Sequence, residues 1–286
     1  MKVRSPLLAA VLVVVAALIV PTAAAADGPA PLNYVALGDS YAAGSGNLPF
    51  APGVNPACAQ STLNFSHVIA AATGANLTDV TCGGAQTKDF TSSQYPGIAP
   101  QLDAVNADTN LITMTIGGND GQTLAVAAGA CGLSSVVTLG TGSPCRTAFG
   151  STFDDRVDTI VYPAVEQALA AVRAKAPNAR IAIVGYPWIM PATRGCYPSL
   201  PIASGDIPYL RALQAHLNAV IQRAADENGV TFVDMATRSD GHDSCQAPGV
   251  RWIEPIFGSS NFALIHPNQT GEQQMARAVM DALGLG

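Results

Sequence analysis

Apolar residues along this chain fall into short, nearly continuous runs set between longer stretches of helical spacing. Tyr34–Leu37, Leu77–Thr81, Leu111–Ile116, Ile181–Val184 and Val230–Val233 are apolar, β-rich and hardly alternate. Such runs predict parallel strands buried on both faces rather than strands with one wet face. Helical spacing extends from Asp154 to Ala176, from Asp206 to Glu227 and from Gln269 to Leu283. Pro163 lies inside the first of these and marks either a kink or the true helix start. Ala176-Pro177-Asn178-Ala179 and Asn228-Gly229 stop helices directly before a strand. The alternation predicts an α/β fold, a single sheet wound with helices on both faces. Residues 121–153 and 186–206 break it. Rich in Gly, Ser, Thr and Pro, they are expected to be long excursions walling a groove at the crevice end of the sheet.

The first segment changes the picture of where the chain works. Lys2 and Arg4 precede the apolar run Leu7 to Val20, and Pro21-Thr22-Ala23-Ala24-Ala25-Ala26 follows. This is the layout of a secretory signal peptide, residues 1–26, cleaved near Ala26. The run is short for a membrane span of about 20 residues, so a soluble, exported domain over 27–286 is expected, without stable membrane insertion. Removing Lys2 and Arg4 takes the formal charge from −6 to −8. An acidic chain of this kind is a poor electrostatic partner for nucleic acid or anionic lipid. Any lipid it handles is held by apolar contacts.

Six cysteines in an exported chain, Cys58, Cys82, Cys131, Cys145, Cys196 and Cys245, read as three disulfides. None forms a CxxC pair, which speaks against zinc. Fifteen pairings are open; sequential pairing is expected, because each bridge then staples a long loop to the sheet. Sequons at Asn64, Asn76 and Asn268 are read as chance occurrences.

Candidate chemistry gathers at the strand ends. The first run closes in Gly38-Asp39-Ser40-Tyr41. A serine at the carboxyl end of a parallel strand lines the ligand crevice and is placed to be a nucleophile. The second run ends in Cys82-Gly83-Gly84-Ala85, and the third in Gly117-Gly118-Asn119-Asp120. The glycines let the backbone approach a ligand, and Asn119 offers an amide donor. Ile265-His266-Pro267-Asn268 comes just before the last helix. Helix capping for Ser40 and a turn role for Asn119 are the structural alternatives. His67 and His216 lie in helical patterns, which leaves His242 as a second candidate base. Asp39 and Asp120 are read as organising their own turns.

In that order these motifs resemble the SGNH (GDSL) hydrolase superfamily, over the whole chain after the leader. The match is best to secreted three-disulfide actinobacterial esterases and lipases. The resemblance implies a three-layer α/β/α sandwich with a five-stranded, flavodoxin-like parallel sheet. It implies Ser40 as nucleophile, His266 as base, and Ser40, Gly84 (with Gly83 as a near alternative) and Asn119 as the oxyanion hole. Many members carry aspartate three residues before the histidine; here that position is Ala263. The resemblance therefore implies a main-chain carbonyl near 263–264 orienting His266, with Asp240, Asp243 and Glu254 as rival acids. The expected activity is that of an esterase or lipase, or a phospholipase A, with no cofactor or metal and as a monomer. A groove for the acyl chain is expected from Leu124–Ala130 and Trp188-Ile189-Met190. A cell-wall acetyl esterase and a non-catalytic binding protein on the same fold are the alternatives.

Overall fold

The computed structural model describes Met1, Lys2 and residues 30–285. Apart from its first two residues, the expected leader lies outside these. From Pro31 onward the chain forms one compact unit. Its centre is a parallel sheet of β1 (Asn33–Gly38), β2 (Asn76–Asp79), β3 (Leu111–Thr115), β4 (Arg180–Val184) and β5 (Thr231–Val233), in the order β2-β1-β3-β4-β5. Every neighbouring pair is parallel. β3 is buried along its whole length, as its continuous apolar run requires. The edge strand β2 is half-exposed. It is shorter than the run suggested, although the N–H groups of Val80 and Cys82 still donate to the carbonyls of Ala36 and Gly38 at 3.0 Å.

α1 (Ser40–Ala43) and α2 (Phe65–Thr73) follow β1. Between β3 and β4 come α3 (Thr123–Val137), α4 (Pro144–Phe149), α5 (Thr152–Arg156) and α6 (Tyr162–Lys175). α7 (Ile207–Glu227) precedes β5, and α8 (Met235–Arg238) and α9 (Gln269–Leu283) close the chain. α2 packs against α9, and α6 against α7, completing the layers around the sheet. α5 and α6 are one run joined by a π-helical turn, Val157–Val161. Pro163 sits in the first turn of α6 and has no N–H to return to residue 159, so the widened turn absorbs the missing bond.

Residues 121–153 differ from the expected excursion. They form α3 and α4, which cover a second apolar core containing Ala127, Cys131, Cys145, Leu200, Ile207 and Leu213. The stretch has no charged residue between Asp120 and Arg146, so it lacks the polar stripe by which a surface helix is recognised.

Disulfides pair Cys58 with Cys82, Cys131 with Cys145, and Cys196 with Cys245. The first pins the end of β2, the second joins α3 to α4, and the third holds the 186–206 segment to the chain after α8. Among the described residues no helix is long and apolar enough to cross a membrane.

Candidate active site

The strand order reverses between β1 and β3, and loops leaving two such strands diverge to open a crevice. Gly38 and Thr115 are paired at the ends of these strands, and the Asp39 N–H extends the ladder to the Thr115 carbonyl at 2.9 Å. A Cβ on Gly38, at φ +122°, would lie 2.3 Å from that carbonyl oxygen. Only glycine lets the two chains close there. Ser40 then opens α1 with Asp39 as its N-cap.

His266 stands across the crevice. Its Nε2 is 2.7 Å from Ser40 Oγ, and its Nδ1 is 2.7 Å from the Leu264 carbonyl oxygen. A carbonyl can only accept, so Nδ1 carries the proton and Nε2 accepts from the serine hydroxyl. The carbonyl reaches the ring because Ile265 has φ +55°, a strained conformation for a β-branched residue. Tyr41 holds that turn: its hydroxyl donates to the Ile265 carbonyl at 2.6 Å, and its ring packs 4.9 Å from the His266 ring. Burial lowers the His266 pKa below the usual 6.5, against the opposing effect of the Leu264 carbonyl. The imidazole is therefore neutral at pH 7.

Three donors belong to the proposed oxyanion hole. The Ser40 and Gly84 N–H groups donate to no protein acceptor among the described residues. The neighbouring Gly83 N–H is committed to the Cys58 carbonyl at 2.8 Å, which separates two glycines that the sequence left as alternatives. Asn119 Nδ2 donates to the Ala85 carbonyl at 3.1 Å. One N–H of the amide is thereby fixed and the other left over.

Asp39 and Asp120 have a wider reach than the expected turn-organising role. Asp39 is buried and accepts from the Tyr41 N–H at 2.9 Å, from Thr115 Oγ1 at 2.8 Å and from the Tyr186 hydroxyl at 2.5 Å. The Tyr186 oxygen in turn accepts from the Gly118 N–H at 2.9 Å. One carboxylate thus ties together the chain ends after β1, β3 and β4. Desolvation raises its pKa to about 6, against the pull of the hydroxyl and backbone N–H donors around it. Asp120 crosses to the other loop and accepts from the Thr87 hydroxyl at 2.5 Å. Tyr186 went unnoticed in the sequence because no motif marks it; its place directly beyond the fourth apolar run was the available signal.

The rival residues lie elsewhere. Asp240 pairs with Arg211, Asp243 accepts from the Cys245 N–H, and Glu254 is buried against Arg251 and Asn268. His67 bonds Asn64, His216 sits between Asp154 and Asp158, and His242 stacks on Trp252. The Asn64 and Asn268 amides cap α2 and α9, which occupies two of the three sequon side chains. Among the described residues, no group of three or more His, Cys, Asp or Glu could hold a metal ion.

Beside Ser40 and His266 opens a cavity of about 190 Å³. Leu124, Ala127, Ala128, Ile189, Met190 and Leu213 line it, along with Gln214. The Gln214 amide is spent on backbone groups of Pro187 and Ile189, so the wall presents little free polarity. Trp188 departs from the expected lining and lies under the Arg211 guanidinium, 3.9 Å from its centre.

Comparison with known proteins gives the chain a family. Residues 36–274 match the model of the GDSL-like Lipase/Acylhydrolase family. The chain is 56% identical over 265 residues to Lipase 2 of Streptomyces coelicolor, covering 92% of this chain and 90% of the relative. It superposes on a phospholipase A1 from Streptomyces albidoflavus with a TM-score of 0.72, at 26% identity, covering 89% of this chain and 99% of the other. An extracellular lipase from Streptomyces rimosus gives the same TM-score and identity, with coverage of 88% and 99%. The chain belongs to the GDSL-like lipase/acylhydrolase family.

Proposed function

We propose that this protein is an exported serine esterase or lipase in which Ser40 and His266 form a dyad oriented by the Leu264 carbonyl. The observation that carries the reading is the Leu264 O···Nδ1 and Nε2···Oγ relay, 2.7 Å at each step, beside an apolar cavity. His266 Nε2 takes the Ser40 proton as Oγ attacks the ester carbonyl carbon. The oxyanion is received by the N–H groups of Ser40 and Gly84 and the spare N–H of Asn119, and each such donor is worth about 10²–10³ in turnover. The imidazolium returns its proton to the leaving alkoxide. Water, deprotonated by the same histidine, then releases the acid from the acyl-enzyme. The carbonyl fixes the tautomer and accepts the Nδ1 proton throughout, without a full charge to offset the imidazolium.

The cavity suits an acyl chain: its lining is mostly aliphatic, and its two tyrosines, Tyr41 and Tyr186, have their hydroxyls committed to the Ile265 carbonyl and the Asp39 carboxylate. An acyl ester of low to moderate polarity is therefore favoured over a glycan acetate. Export is supported by the leader and by the three disulfides.

The test is hydrolysis of p-nitrophenyl esters from C2 to C16 by the wild type and by Ser40→Ala. Activity lost by at least about 10³ in the variant is expected. An equally active Ser40→Ala enzyme would place the nucleophile elsewhere.

A further inference from the structure

α3 has two faces with different duties. Leu124, Ala127 and Ala128 look into the cavity beside Ser40, while Val126, Leu133 and Val137 recur at spacings of seven and four on the opposite side. Those three are exposed, Leu133 by 73% and Val137 by 84%. Leu139 continues the patch at 77% exposure, presented by a backbone at φ +52°. Scattered apolar residues on a surface need no explanation, but a continuous row on one helix does.

Charge narrows what could cover it. From Gly121 to Cys145 there is no ionisable side chain other than the disulfide-bonded cysteines. The patch therefore has nothing to attract a charged protein surface or an anionic headgroup, and no charge to desolvate against a neutral one. The chain as a whole is acidic and is repelled by anionic bilayers. A second apolar segment borders the same cavity from the other side: Phe262 and Leu264 are exposed, directly before the lining residues Ile265 and His266.

We propose that the outer face of α3 is a docking surface for the headgroup–acyl boundary of an uncharged or zwitterionic phospholipid bilayer. Docking there would seat the bilayer against the helix whose inner face walls the cavity beside Ser40. This deepens the esterase reading and rests on it for the identity of the substrate, but the contact itself requires no turnover. Apolar helix faces enter this boundary by about 5–10 Å, a depth that side chains of this size can fill.

The experiment uses the inactive Ser40→Ala chain with phosphatidylcholine vesicles, read by co-sedimentation. Binding is expected, insensitive to salt up to 1 M, and weakened at least about ten-fold by adding Leu133→Asp and Val137→Asp. In the otherwise wild-type enzyme the same pair should leave hydrolysis of a soluble short-chain ester and the melting temperature nearly unchanged. If they do not, Leu133→Ser and Val137→Ser replace them in both assays. No vesicle binding by Ser40→Ala, equal binding with the α3 substitutions, or binding abolished by salt would each overturn the proposal. So would a dimer in sedimentation velocity that the α3 substitutions dissolve, since the patch would then be covered by a second copy. Failure of the esterase reading shows separately, as absence of Ser40-dependent hydrolysis in solution.

Discussion

Ile265 is the residue on which the geometry of the proposed base turns. Its left-handed backbone costs about 1–3 kcal/mol and places the Leu264 carbonyl at the ring nitrogen that a Ser-His-Asp triad gives to a carboxylate. A histidine held this way and buried has its pKa below 6.5. As a base it works only when neutral, so kcat/KM should be at its plateau by pH 7 and decline only below about pH 6.5. A pH profile with its midpoint above 7 would contradict this assignment. The carbonyl arrangement also predicts that Asp240→Ala and Asp243→Ala retain turnover within a few-fold. A drop of about 10⁴ at either would identify a missing acid. Asp39 adds a pH dependence of opposite kind. Its folded pKa of about 6 lies above the ordinary 3.8, so its contribution to stability is present below about pH 4 and lost as pH rises through 6. At this scale the sequence was most legible where chemistry repeats in motifs, at Ser40, Asn119 and His266. It was least legible at Tyr186 and Tyr41, whose roles depend on a carboxylate and a carbonyl that only the fold brings to them.

At the scale of elements, the apolar runs announced all five strands, although only β1, β3 and β4 are buried on both faces and the edge strands β2 and β5 are part-exposed. α3 escaped because an uncharged, Ala- and Gly-rich helix shows neither an amphipathic stripe nor a capping signal. Its neighbour depends on a distant cap. Asp206 is fully buried at the start of α7 and accepts from the Cys145 and Arg146 N–H groups in the first turn of α4, both at 2.9 Å. An aspartate standing at the N-cap of its own helix thus serves another. Asp206→Ala should destabilise the protein by about 1–2 kcal/mol, lowering Tm by about 2–6 °C in a thermal melt. No shift in Tm would show that solvent replaces the cap.

For the molecule as a whole, three bridges divide the work of restraint. They close segments of 24, 14 and 49 residues, and closing loops of this size restricts the unfolded chain by about 3–4 kcal/mol each on the entropy model. Reduction should therefore lower Tm by more than 10 °C. An unchanged melting curve in reductant would mean that the folded chain does not depend on them. The even cysteine count and the leader made this restraint visible in the sequence, and the sequential pairing expected there is the one the structure shows.

The bridges are also sequential: none encloses or crosses another. Each can therefore form as soon as its own segment has emerged, with no wait for residues further along. The dyad has the opposite topology. Ser40 and His266 are separated by 226 positions, so nearly the whole chain must have emerged before the proposed nucleophile meets its proposed base. For a chain that emerges from its N-terminus, that order of events is a built-in delay. Covalent restraint accumulates along the way, and reactivity arrives last.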